Sequence, residues 1–265
     1  MRLRHAHEHA VDREAGGRGT TFVRYLVVIA SLCNRSGLGR RIGLSGRRPG
    51  TITQSFGRFV TGLLFHRRIT PRSAPRVGAC IGHSPHERRV EVIALKLFDL
   101  LRARHNLDEA HRKLLSVAAL VHDAAKESSP ADHDVRGAEL VLADRSLPLS
   151  PSRRRAVAML VRYHRNAGGA RGAAASVPGY DPRSLLLLLA LLHAADGLDS
   201  RRVPLAAIVA RRKGGTLDIV CLVTRKLARA RRLLARPRKF RLLQRMLGIE
   251  VRVSVERALQ EECPR

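Results

Sequence analysis

The chain has no tryptophan, and six phenylalanines with three tyrosines are all the large aromatics in 265 residues. So few rings exclude the stacking platforms on which proteins lay single-stranded nucleic acid. Cysteine is equally sparse. Cys33, Cys80, Cys221 and Cys263 are far apart, without C-x-x-C or zinc-ribbon spacing, which excludes a disulfide framework and fits a reducing, cytoplasmic interior. No apolar run approaches the roughly 20 residues that span a bilayer; the leucine cluster Leu185 to Leu189 is short and lies between Arg183 and Asp196. Acidic residues are scarce too: 22 stand against 50 lysines and arginines, a net charge of +28. Between Glu14 and Glu87 there is none. Such an excess points to a polyanionic partner, whether polyphosphate, a phosphorylated nucleotide or nucleic acid. A solvated arginine-rich surface is the plainer alternative, since only six of the fifty basic residues are lysine and the arginines run along the whole chain.

What the chain has is apolar helical periodicity interrupted by histidine and aspartate. Leu115, Ala118, Ala119 and His122 follow i, i+3, i+4, i+7 spacing, so the imidazole shares the face that is to be buried, with Asp123 beside it. A carboxylate taken out of water needs a cation, an ion pair or a metal. The same signature recurs four times. His86 stands before the stripe Val90, Ile93, Ala94, Leu97 and Leu101; His133 before Gly137, Leu140 and Val141; His164 after Val157, Leu160 and Val161; Asp196 after Leu185, Leu188, Leu189 and Leu192. Five helical patterns thus supply four imidazoles and two carboxylates on apolar faces, the way helical bundles build metal sites from side chains pointing inward.

In this order, His86, then His122-Asp123, then Asp196, the residues resemble the H…HD…D signature of the HD superfamily of metal-dependent phosphohydrolases. His133 and His164 are similar to the two further histidines of its binuclear members. The HD-GYP subfamily would place a second histidine at Arg165 and a Gly-Tyr-Pro after it, and the sequence has neither. About two thirds of the chain resembles the C-terminal HD-type domain of the exopolyphosphatase and guanosine pentaphosphate phosphohydrolase family. The likeness runs through His86 to Asp99, the His122-Asp123 segment, Val161 to Arg165, Leu191 to Arg201, and the tail from Lys239-Phe240 to Val251. His193 stands where that family usually has arginine, and the domain reads as stand-alone, without the family's actin-like catalytic half.

The expected fold is mainly α: an HD-type helical bundle with a small C-terminal α+β subdomain containing two strands, and a basic, disordered N-terminal extension. The boundaries are 1–80 for the extension, 81–202 for the helical core, 203–258 for the subdomain and 259–265 for a tail. Within the extension, Phe22 to Leu32 is apolar enough for a short helix or strand. Asp108 is the expected N-cap of one helix, and Ser150 with Pro151 opens another. Ser128, Ser129 and Pro130 end the His-Asp helix, and the glycine- and alanine-rich stretch Asn166 to Pro178 is expected as a mobile loop at the mouth of the site. Alternation over Leu217 to Thr224 and over Ile249 to Glu256 marks the two strands. Lys226 to Leu234 and Lys239 to Leu247 read as helices, with Gly248 as the stop.

The resemblance implies one or two divalent ions, and imidazole mixed with carboxylate suits Mn, Fe, Mg or Ni. A first ion would take His86, His122, Asp123 and Asp196; a second would take His133 and His164, with Asp123 bridging. Asp123 and Lys126 are the expected catalytic residues, Lys126 by contacting a phosphate oxygen, with Arg165 and His193 as weaker candidates for charge stabilisation. Asp99 and Asp199 face away from the stripes and are expected to be structural or capping. His5, His7, His9, His66, His83, His105 and His111 are expected to be exposed. The implied function is hydrolysis of a phosphorylated nucleotide, phosphodiester or polyphosphate. The alternative is a non-catalytic regulatory module that binds polyphosphate or a nucleotide. Expected partners are a phosphorylated small molecule or polyphosphate, nucleic acid through the basic charge, and a second copy of the chain as a homodimer, with no membrane span.

Overall fold

The computed structural model describes residues 23–28, 85–200, 203, 205–234 and 236–258. Seven helices come first among the described core residues: α1 (Pro85–Leu100), α2 (Arg102–His105), α3 (Glu109–Val121), α4 (His133–Ala143), α5 (Pro151–Tyr163), α6 (Ala170–Ala175) and α7 (Pro182–Leu198). The organising helix is α7, in which Leu185, Leu187, Leu188, Leu189, Leu191 and Leu192 are all buried. A helix apolar on every side belongs at the centre of a bundle. Helix α1 packs on α3 and α7, and α4 packs on α5.

Helix starts follow the capping residues. The Asp108 carboxylate accepts from His111 N, Ser150 Oγ from Arg153 N ahead of Pro151, and Asp181 from Ser184 N ahead of Pro182, each satisfying an orphan amide of the first turn. The His-Asp helix ends earlier than the sequence suggested. Val121 is its last residue, and His122 to Ser128 form successive tight turns, with Ala124 N donating to Val121 O and Lys126 N to Asp123 O. The stretch Asn166 to Pro178 is likewise more ordered than a loop: Ala170 to Ala175 coil into α6, with Ala170 and Ala174 buried. Alanine is the strongest helix former, and here its small side chain also fits against α7 and α5.

The remaining elements build a four-stranded sheet in the order β1-β2-β3-β4: β1 (Val23–Val28), β2 (Leu205–Lys213), β3 (Thr216–Val223) and β4 (Glu250–Arg257). The two expected strands are β3 and β4. They have company: β2 forms an antiparallel hairpin with β3 through Gly214-Gly215, and β1, from the stretch Phe22 to Leu32, pairs antiparallel with β2. The expectation of disorder over 1–80 otherwise concerns residues outside the described ones. Along β3, Leu217, Ile219, Cys221 and Val223 are buried in strict alternation. Strands β3 and β4 run parallel, so a crossover must join them. It consists of α8 (Leu227–Leu234), a 3-10 turn at Pro237–Lys239, and α9 (Arg241–Leu247), which ends at Gly248 with φ 61°, a left-handed stop that glycine adopts freely. Both α9 and the 3-10 turn rest on α7. No helix among the described residues is long and apolar enough to cross a membrane.

Candidate metal centre

The bundle brings all six predicted groups to one place, five from helix ends and Asp123 from the turn after α3. His86 lies in the first turn of α1, His122 caps α3, His133 opens α4, His164 caps α5, and Asp196 lies in the last turn of α7. The four imidazoles form a row in the order His86, His122, His164, His133, with successive ring centroids 5.3, 5.1 and 5.2 Å apart. All four rings are buried, as is Asp123; Asp196 is partly open to solvent.

Each ring is held by Nδ1 and turns Nε2 inward. His122 Nδ1–H donates to Ala119 O at 2.8 Å, His133 Nδ1–H to Pro130 O at 2.9 Å and His164 Nδ1–H to Val161 O at 2.7 Å. These carbonyls lie three residues back, where the local turn exposes them. His86 Nδ1–H instead donates to Asp199 Oδ2 at 2.5 Å. A hydrogen bond at one ring nitrogen fixes the tautomer and leaves the other as a lone-pair donor, as in metal-ligating histidines. His122 Nε2 is buried and has no hydrogen-bond partner. A buried nitrogen in that state asks for an electrophile.

Asp123 sits between two groups of rings. Its Oδ2 lies 3.8 Å from both His86 Nε2 and His122 Nε2, while its Oδ1 lies 3.0 Å from His133 Nε2 and 3.5 Å from His164 Nε2. Asp196 Oδ1 closes the first group, 3.6 Å from His86 Nε2 and 3.8 Å from His122 Nε2. Ligand atoms about 2.1 Å from a common ion lie about 3 to 4 Å from one another, so these separations suit one. Two such sets are present among the described residues: His86 with His122 and Asp196, and His122 with Asp123 and His164.

The electrostatics favour positive charge here. Burial lowers the basicity of His86, but Asp196 and Asp199 outweigh it and lift the ring to about 9, so a metal ion at its Nε2 would take the place of a proton. His122, fully enclosed, is pushed down to about 4 by burial, with the attraction of Asp123 too weak to compensate. Burial would raise both site carboxyls, yet the His164 ring beside Asp123 and the His86 ring beside Asp196, aided by Lys126 and Lys239 respectively, hold each below the usual range. Both carboxylates therefore stay anionic.

Other predicted residues take more local roles. Lys126 Nζ, at the second group, donates to His133 Nε2 at 3.1 Å. Arg165 does not face the cavity; its NH1 bonds Ala131 O and Asp134 Oδ1, and Arg162 bonds the other oxygen of Asp134, so the pair clamps the start of α4 to the end of α5. His193 is buried, and its Nε2–H donates to the Tyr163 carbonyl at 2.7 Å. Burial drives it to about 4, so this neutral ring braces the chain beside His164 rather than stabilising charge. Asp99 is structural as expected, paired with Arg102 and Arg112. Asp199 is a correction: it faces the site, gripping His86 with one oxygen while Arg89 bonds both. His105 is another, buried with Nε2 on Phe98 O and Nδ1 accepting from Leu107 N. His111 is partly exposed at its N-cap, and His5, His7, His9, His66 and His83 lie outside the described residues.

Sequence reasoning also missed Lys239, whose Nζ donates to Asp196 Oδ2 at 2.6 Å. A signal for Asp199 was available: His86 and Arg89 are spaced i, i+3 on α1 and share a face, and Asp199 follows Asp196 by three residues, just past the end of α7. No curated protein matches the chain significantly. Residues 85–201 match the HD domain, the domain of a superfamily of metal-dependent phosphohydrolases, and that span holds all six groups gathered around Asp123.

Proposed function

We propose that the chain hydrolyses a phosphate bond at this centre, with His86, His122, Asp123 and Asp196 holding one divalent ion and His133 and His164 a second across Asp123. The observation that supports it most is the division of Asp123, whose two oxygens face separate pairs of imidazoles. The partnerless Nε2 of His122 fits the same reading. Mixed imidazole and carboxylate ligation suits Mn, Fe, Mg or Ni. When bound, such ions supply Lewis-acid polarisation of the phosphoryl group and a nucleophilic water at neutral pH.

The protein's own part is placement. The Nδ1 anchors fix the rings before anything binds, so no reorganisation is needed at the moment of reaction. Asp123 orients what lies between the two groups of rings, and Lys126 offers ammonium protons to a phosphate oxygen beside His133. The substrate classes that fit are a phosphorylated nucleotide, a phosphodiester or polyphosphate. The likeness of Leu191 to Arg201 and of the tail to the exopolyphosphatase C-terminal domain favours phosphate-rich members of that set.

The test is metal analysis of purified protein coupled to a hydrolysis screen across polyphosphate, guanosine penta- and tetraphosphate, cyclic dinucleotides and ordinary nucleotides. Wild type is expected to carry a divalent ion and to turn over one of these classes. Changing His122 and Asp123 together to alanine is expected to remove both metal and turnover. Activity that persists in metal-free protein would defeat the reading.

A further inference from the structure

The matched span ends at residue 201, yet one group in the cavity comes from beyond it. Lys239 closes the 3-10 turn of the β3–β4 crossover and places its ammonium 2.6 Å from Asp196 Oδ2, the oxygen that faces away from His86 and His122. Its side chain is mostly buried, with 18% of its surface accessible. Phe240, the next residue, is buried in the core and fixes the turn.

The approach is built into the partner helix. A Cβ on Gly197 would lie 2.7 Å from Lys239 Cβ and 3.0 Å from its Cγ. Those are atoms near the lysine backbone, not the free end of a flexible chain. Glycine at 197, adjacent to Asp196, is therefore what admits the lysine to the site.

Charge then says what it is for. With a divalent ion in place, the two carboxylates Asp123 and Asp196 are outnumbered by that ion and two ammonium groups, Lys126 at the second group and Lys239 at the first. A half-buried surplus of positive charge requires an anion. An ammonium has three protons, and the bond to Asp196 uses one. Resting on the phosphohydrolase reading above, we infer that Lys239 is a substrate-binding residue that takes a phosphate oxygen on the Asp196 side, so that the site selects terminal phosphoryl groups over phosphodiesters. A terminal phosphoryl group carries two negative charges and three non-bridging oxygens, enough for the ions and for a lysine on each flank. A diester has one charge and two such oxygens, too few to serve the ions and a lysine on each flank.

The experiment compares full-length wild type, Lys239→Met, Lys239→Arg and Gly197→Ala. Manganese uptake is measured first. Calorimetric binding of inorganic phosphate and of dimethyl phosphate to the manganese-loaded proteins follows, with melting temperatures of each variant. Wild type is expected to prefer inorganic phosphate. Lys239→Met is expected to retain manganese and lose about tenfold in phosphate affinity with much less change for dimethyl phosphate, while Lys239→Arg recovers most of the loss. Gly197→Ala keeps the lysine but displaces it, and is expected to reproduce the loss; it carries the test should Lys239→Met fail to fold. Phosphate affinity within twofold of wild type in manganese-loaded Lys239→Met, or in Gly197→Ala should Lys239→Met fail to fold, overturns the inference, as does equal loss for both probes. Wild-type protein that takes up no manganese fails at the earlier step and overturns the phosphohydrolase reading itself.

Discussion

The two groups of rings around Asp123 are held in place by different means. On the Asp196 side the supports are distant in sequence: Asp199 lies 113 residues from His86, and Lys239 lies 43 residues from Asp196. On the other side they are local: His133 and His164 each lean on a carbonyl three residues back, and Lys126 is seven residues from His133. His122, with its own local carbonyl, faces both sides. The first group exists only when α1, α7 and the crossover dock; the second needs α4 and α5 to meet the turn after α3, but each of its rings is held by its own helix end. Side chains held through tertiary contacts are lost when those contacts loosen, whereas those held by backbone carbonyls survive any side-chain change nearby.

That contrast is broken most completely by Asp123→Ala, which removes the carboxylate whose two oxygens serve both sides. Metal analysis is expected to show loss of all bound ion. Turnover is expected to fall by roughly a thousandfold or more, as several kcal/mol of charge stabilisation disappear. Asp199→Ala sharpens it. Freeing the His86 ring is expected to weaken ion binding on the Asp196 side by about 10- to 100-fold, while a titration resolving two ions finds the His133 and His164 side within severalfold of wild type. Equal weakening at both would show that the halves are not separately supported.

A change in the core under the crossover acts on the same difference through stability. Leu217 is fully buried in β3, and Leu217→Ala is expected to cost about 2 to 5 kcal/mol in a denaturant titration. His193→Ala, beside His164, leaves the Tyr163 carbonyl without its buried donor and is expected to cost about 1 to 3 kcal/mol. The smallest effect belongs to Cys221, whose thiol burial pushes up to about 12. At pH 8 it stays protonated, and native protein is expected to show no labelling of it by a thiol reagent within minutes, with labelling appearing on unfolding.

The same division explains what the sequence disclosed. The six cavity groups were legible because each sits at a fixed step from an apolar stripe, and periodicity survives without knowledge of the fold. Lys126 was legible for the same reason, being local to His122. Asp199 and Lys239 were not, because their purpose depends on which elements pack together. His105 was missed since nothing local marks a histidine that bonds a carbonyl seven residues back. Strand β2 escaped because Leu205 to Ala210 is apolar with little alternation, its burial running buried, intermediate, buried, buried, as suits a strand between two neighbours. Helix α6 escaped because the surrounding glycines outweigh its alanines in any average, although the alanines alone set the local conformation.

The parallel pairing of β3 with β4 gives the lysine-bearing turn two feet instead of a hinge. Both ends of the connection are stitched into adjacent strands, so a single protease cut in it leaves two fragments still registered side by side. Lys239 is therefore held from two directions, by the strands that anchor the connection and by α7, on which its turn rests.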